Sequence, residues 1–157
     1  MPSSKRVRAS ILEEIRRLPP DKRIIDLGSG WGGLAFAAAR AFPDRQVEGY
    51  EMAAVPLLFS KLRLLLPTRP ENLRFHYRDI RLLRPEDGVV YLAYLAPAAM
   101  ESLRRRFEET LPREAILVSA LFAVRGWRPT AAKTARDLHK TSIFVYELNR
   151  LPGSGRM

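Results

Sequence analysis

Residues 23–33 read Arg-Ile-Ile-Asp-Leu-Gly-Ser-Gly-Trp-Gly-Gly. Arg23 to Leu27 is short, β-branched and mostly apolar, as a central parallel strand buried on both faces should be. Gly28, Gly30 and Gly33 then complete the pattern G-x-G-x-x-G. Leu34 to Phe42 is alanine-rich and helix-favouring, and Pro43-Asp44 ends it. In a strand, glycine turn and helix in that order, glycine lets the backbone turn tightly and approach a ligand. The free N–H groups of the helix start then receive an anionic group. A nicotinamide dinucleotide and an adenosyl amino acid can both use such a turn.

On the carboxyl side, Gln46 to Tyr50 reads as a second strand. Ala53 to Leu66 follows as a helix, with Pro56 tolerated in its first turn and Leu58, Leu62 and Leu65 on one face. Leu73 to Tyr77 makes a third strand and Gly88 to Leu95 a fourth. Ala98 to Leu111 is a helix with Met100, Leu103, Phe107 and Leu111 turned inward. Ala115 to Val124 is a fifth strand, then a Gly, Trp and Pro loop leads to a last strand at Thr141 to Leu148, antiparallel to the fifth. On the amino side, Ile11, Leu12, Ile15 and Leu18 mark an amphipathic helix over Ser10 to Leu18, stopped by Pro19-Pro20.

This alternation predicts a Rossmann-like α/β fold. Its open, mainly parallel sheet has about six strands, helices on both faces and an antiparallel carboxyl-terminal strand. Ligands of such sheets bind at the carboxyl ends of the strands, near the switch point.

The 157 residues suit one domain over 1–150 with an amino-terminal helix, and 151–157 read as a flexible tail. Apolar residues make up 46% and charged residues 28%, the balance of a folded globular domain. No apolar run nears the roughly 18 to 20 residues of a membrane-spanning helix, and the amino terminus lacks the apolar block of a secretory signal. The expectation is a cytoplasmic protein with no membrane partner. With no cysteine and two histidines, no metal site is expected. The formal charge of +10 favours an acidic partner, nucleic acid or protein.

Three carboxylates narrow the choice of ligand. Asp26, two residues before Gly28, would repel a pyrophosphate but suits the ammonium of an amino acid, whose carboxylate the turn N–H groups can hold. Glu51 ends the second strand, where an acid accepts hydrogen bonds from ribose hydroxyls. Asp79 follows the third strand, where it can accept from the adenine amino group while Ile80 packs on the ring. Any one of these alone would read as a helix cap or a solvated loop residue. Three in register above one glycine turn point to adenosyl amino acid binding. No Tyr-x-x-x-Lys pair supports hydride transfer and no nucleophile elbow supports hydrolysis.

The stretch Asp26-Leu-Gly-Ser-Gly-Trp-Gly resembles the D-x-G-x-G-x-G signature of class I S-adenosylmethionine-dependent methyltransferases, with Glu51 and Asp79 at that superfamily's later acidic positions. Within it the chain looks most like the small protein lysine N-methyltransferases, of the archaeal broad-specificity and ATP synthase c-subunit types. That finer likeness rests on Gly49-Tyr50-Glu51, Tyr94-Leu-Ala-Pro97, Phe122 and Trp127-x-Pro129.

The resemblance implies S-adenosylmethionine as cofactor, held by Asp26, Gly28, Ser29, Gly30, Trp31, Gly32, Glu51, Met52, Asp79, Ile80 and Tyr94. It also implies a substrate slot lined by Tyr94, Leu95 and Pro97, and a protein lysine as acceptor. Tyr94 also reads as a plain packing residue, Tyr91 as a residue inside the sheet, and His76 as structural or exposed rather than a base. The Asn-Pro-Pro-Tyr sequence of adenine N6 methylation is absent from the fourth strand. RNA methylation, or non-catalytic binding of the cofactor or of RNA, are the rival readings that the charge suggests.

Overall fold

The computed structural model describes residues 4–110, 112–135 and 137–150. The expected tail at 151–157 and the expected inward-facing Leu111 lie outside them. The chain runs α1 (Lys5–Arg16), β1 (Arg23–Leu27), α2 (Gly33–Ala41), β2 (Val47–Glu51), α3 (Ala54–Arg63), β3 (Leu73–Tyr77), β4 (Val89–Ala93), α4 (Pro97–Thr110), β5 (Ile116–Ala120), β6 (Ala131–Thr134) and β7 (Ser142–Glu147). A short 3-10 turn, Ile80–Leu82, precedes β4.

The strands form one sheet in the order β3-β2-β1-β4-β5-β7-β6. Pairing is parallel from β3 to β5, and β7 lies antiparallel to both β5 and β6. The chain moves outward from β1 to β2 and β3, then returns to the other side of β1 for β4. That reversal makes the β1/β4 junction the switch point, where carboxyl strand ends leave a crevice.

Strand periodicity divides the core in two. Ile24, Val47, Val90, Leu92 and Val118 face α1, α2 and α3, whose Ile11, Ile15, Leu34, Phe36 and Leu57 cover them. Ile25, Leu27, Tyr91, Ala93 and Leu117 face α4, through its Met100, Leu103 and Phe107. Asp26, two residues beyond Ile24, therefore points to the α2 side.

Two differences from the sequence reading matter. The seventh strand, β6, reads Ala-Ala-Lys-Thr with all four residues exposed, so it lacks the apolar alternation that marks a strand and is held by its ladder to β7. And α1 begins at Lys5, five residues before the expected Ser10. The Ser4 hydroxyl accepts from the Val7 amide at 3.2 Å, and Val7 extends the buried Ile11 and Ile15 row by one turn.

Candidate functional site

At the switch point the chain encloses a cleft of about 500 Å³, lined by residues of the glycine turn together with Asp26, Glu51 and Tyr94. The turn is built by backbone geometry. Gly28 and Gly32 have φ of +68° and +75°, a left-handed conformation that costs a side-chain-bearing residue about 1 kcal/mol or more. A Cβ on Gly28 would meet Leu95 Cδ2 at 2.6 Å, and one on Gly32 would meet Phe75 and the Ser60 hydroxyl below 3 Å. Glycine here thus serves both conformation and packing.

Two hydrogen bonds tie β2 to this turn. The Glu51 carboxylate accepts from the Gly30 amide at 2.8 Å, and the Ser29 amide donates to the Tyr50 carbonyl; the other Glu51 oxygen accepts from the Ala53 amide, just past β2, at 2.7 Å. Each Glu51 oxygen keeps lone-pair capacity toward the cleft.

Asp26 carries the strongest chemical signal. It is 2% exposed, and its Oδ2 has no hydrogen-bond partner, as is also true of the Ser29 hydroxyl. Burial above all, and then the Glu51 charge, raises the Asp26 pKa to about 7 against a partly opposing Ala35 amide. Unpartnered buried polar atoms are uncommon because each costs on the order of 1–3 kcal/mol. Beside a cleft, they mark positions that a ligand completes. The one other buried side-chain atom of this kind among the described residues, Arg45 Nη2, belongs to the loop before β2, at the amino ends of the strands.

A cleft of about 560 Å³ beside β3, lined by residues such as Lys61, Glu71 and His76, is slightly larger. It holds none of the turn residues and no orphaned buried atom, so volume alone does not select the site.

The structure adds residues that periodicity did not reveal. Arg8 from α1 and Pro56, Phe59 and Arg63 from α3 line the same cleft. Arg63 donates to the Trp31 carbonyl at 3.1 Å and stacks on Phe36 at 3.9 Å. Burial, and then the charges of Arg40 and Arg8, hold its pKa below the ordinary arginine value. The missed sequence signal was Ser4 with Val7, which carries α1, and therefore Arg8, up to the cleft.

Of the expected contacts, Asp26, Gly28, Ser29, Gly30, Trp31, Glu51 and Tyr94 line the cleft. Gly32, Met52, Asp79, Ile80, Leu95 and Pro97 are not among its lining residues. The Asp79 carboxylate is gripped by Arg81, whose Nε and Nη2 donate to it at 2.7 to 3.0 Å, and that grip lowers its pKa. Ile80 and Leu95 pack on the α4-side core, while Met52 is exposed. Pro97 lines a neighbouring cleft of about 370 Å³ with Met100, Glu101, Phe122, Ala123 and Arg125, between the ends of β4 and β5. Tyr91 is buried in the sheet and its hydroxyl accepts from the Glu86 amide. His76 sits 3.2 Å from Glu48, away from the site. Among the described residues no group of His, Asp or Glu could hold a metal ion.

This donor set fits S-adenosylmethionine. The orphaned Asp26 carboxylate matches an ammonium, the Arg8 guanidinium in the cleft matches a carboxylate, and Glu51 matches hydroxyl donors.

Several known proteins resemble this chain in sequence or in fold. Among curated proteins, the adenine nucleotide translocase lysine N-methyltransferase of Mus musculus is 27% identical over 109 residues, 69% of this chain and 47% of that protein. The tRNA1(Val) (adenine(37)-N6)-methyltransferase of Vibrio campbellii (strain ATCC BAA-1116) is 28% identical over 67 residues, 43% of this chain and 28% of that protein. The chain thus spans less than half the length of either relative.

Among solved structures, an RNA methyltransferase from Salinibacter ruber in complex with S-adenosyl-L-homocysteine superposes with a TM-score of 0.82 at 22% identity. That match covers 98% of this chain and 97% of the other. A putative methyltransferase from Escherichia coli follows with a TM-score of 0.71 at 16% identity, covering 94% and 87%. At these identities the likeness is one of fold. The model of the ANTKMT methyltransferase domain matches residues 26–131. That match starts at the orphaned carboxylate and runs to the edge strand, more than half of the chain, and the protein therefore belongs to the ANTKMT methyltransferase domain family.

Proposed function

We propose that the chain transfers a methyl group from S-adenosylmethionine to the side-chain amine of a lysine in a protein substrate. The observation that carries the cofactor reading is the buried, unpartnered Asp26 Oδ2 beside the glycine turn. When bound, the cofactor supplies a methyl carbon on a sulfonium centre, an electrophile that needs no acid to activate it. Asp26 and Arg8 would hold the two charges of its amino acid part, and Glu51 would accept from its ribose. Holding the reacting partners in line and dry is then the main task of the protein.

A lysine acceptor must arrive as a neutral amine although its reference pKa is about 10.4. The segment from Tyr94 to Pro97 supports this, because Tyr94 lines the cofactor cleft while Pro97 opens the neighbouring one. Apolar surface from Pro97, Met100 and Phe122 disfavours a charged ammonium at the inner end. Glu101, also in that cleft, is kept ionised near a pKa of about 2, first by its hydrogen bond from Arg104. Arg104 and Arg105 pair with that carboxylate and Arg125 lines the same cleft, so the Glu101 charge is balanced locally. The lysine N-methyltransferase among the relatives supports the same acceptor.

Methylation of RNA is the second reading, favoured by the +10 charge and by the tRNA methyltransferase among the relatives. Incubating pure protein with labelled S-adenosylmethionine and cell extract, then digesting with protease or nuclease, separates the two. Protease-sensitive label on lysine is expected. Label that survives protease and is released by nuclease would sink the lysine assignment.

A further inference from the structure

The face of α3 that carries Leu58 and Leu62, continued by Leu65 in the turn after the helix, does not pack on the sheet. The helix buries Leu57 and Ser60 instead, leaving those three leucines 59%, 53% and 74% exposed, with Phe59, Leu66 and Trp31 also open to solvent. A contiguous apolar surface of this kind marks an interaction site. Its surroundings are basic. Residues 52–70 contain Lys61, Arg63 and Arg69 and no carboxylate. Arg40 and Arg63 both lie over the Phe36 ring. Among the described residues no ion pair engages Arg8, Arg40 or Arg63.

We propose that this face of α3 docks on an anionic phospholipid surface, with the leucines and Phe59 entering the headgroup and acyl boundary and Lys61, Arg40 and Arg69 meeting lipid phosphates. Leucine and aromatic residues beside unpaired Lys and Arg are the signature of a helix that lies in the interface plane. Such docking departs from the expectation of no membrane partner but not from the absence of a spanning segment, since no helix among the described residues is long and apolar enough to cross a bilayer.

Three other occupants fit less well. Leu58, Leu62, Leu65 and Leu66 stand outside the clefts of about 500, 560 and 370 Å³ described above, so a protein partner anchored in any of these would leave the leucines uncovered, whereas a bilayer needs no socket. A second copy joined by a two-fold axis would set this basic rim against itself. RNA would satisfy the cations but leave the leucines in water. Docking also brings the cofactor cleft to the headgroup layer, because Phe59 and Trp31 belong to both.

Co-sedimentation of the intact chain with vesicles tests this, using phosphatidylcholine alone against vesicles in which about a third of the lipid is phosphatidylglycerol. Binding to the anionic vesicles only is expected, weakened by salt and reduced at least about tenfold by combined Leu58→Glu, Leu62→Glu and Leu65→Glu. Circular dichroism and S-adenosylhomocysteine binding confirm that this variant folds. If it does not, the single Leu65→Glu replaces it, and a blue shift of Trp31 fluorescence on vesicle addition gives a second readout, since Trp127 is already buried. No binding to anionic vesicles overturns the proposal. So does undiminished binding of the folded variant, or a dimer that the leucine substitutions split while vesicles leave the chain in solution. Loss of RNA binding in the variant with vesicle binding unchanged would overturn it too.

Discussion

The Glu51 carboxylate accepts a 2.8 Å hydrogen bond from the amide of Gly30, which fixes the end of β2 to the turn that follows β1. One side chain thereby shapes the turn and faces the cleft. Glu51→Ala removes both roles, and S-adenosylhomocysteine affinity measured by calorimetry should fall by more than about tenfold. Glu51→Gln has only one acceptor oxygen for the two amides now bound, so an intermediate loss is expected.

The Asp26 shift gives cofactor binding a pH dependence. With a pKa of about 7 in the free protein, the side chain must lose a proton before it pairs with an ammonium. Affinity should therefore weaken by up to about tenfold per pH unit below 7, with proton release visible in buffers of different ionisation enthalpy. Asp26→Asn should bind weakly at every pH, without that slope.

Stability of the free protein follows the same group with the opposite consequence. The folded pKa of about 7 lies above the unfolded value of about 3.9, so the folded chain binds the extra proton. This contribution is complete below pH about 4 and is lost as pH rises through about 7. The Tm should fall between pH about 5 and about 8 more in the wild type than in Asp26→Asn.

Gly32 and Gly88 both sit at positive φ, +75° and +70°, but only Gly32 is crowded, with nothing within 4 Å of a Cβ on Gly88. Gly88→Ala should cost about 1 kcal/mol from conformation alone. Gly32→Ala adds a clash with Phe75 and Ser60 and should cost several kcal/mol, together with most cofactor affinity. Chemical denaturation of the two variants compares them directly.

Phe107 is fully buried on α4, edge-on to Tyr91 at 5.1 Å and to Trp127 at 6.2 Å. Phe107→Ala should destabilise the domain by about 3–5 kcal/mol. Because α4 also carries Glu101 and Pro97 to the neighbouring cleft, acceptor KM should rise more than cofactor KM in steady-state assays below the lowered Tm.

Much of this protein was written locally. The β-branched run Arg23 to Leu27, the glycines behind it and an acid at the end of each early strand reflect backbone sterics and side-chain periods of 2 and 3.6 residues, which operate within a few positions of the chain. The sheet, its antiparallel last strand, the helices on both faces and the pairing of Asp26 with Glu51 at one cleft were legible for that reason. The strand β6 was not, because exposed Ala131 to Thr134 carry no pattern and owe their conformation to the ladder with β7.

Tertiary structure decided which side chains meet. Leu58, Leu62 and Leu65 share one helix face by spacing, but whether that face meets the sheet or solvent depends on how α3 is rolled against β2 and β3. Arg8 reaches the cleft because α1 crosses beside α2, and Asp79 is engaged by Arg81 because a 3-10 turn folds back on it. Spacing along a chain sets which side chains share a face, while the direction of that face is fixed only when all layers of the core pack at once.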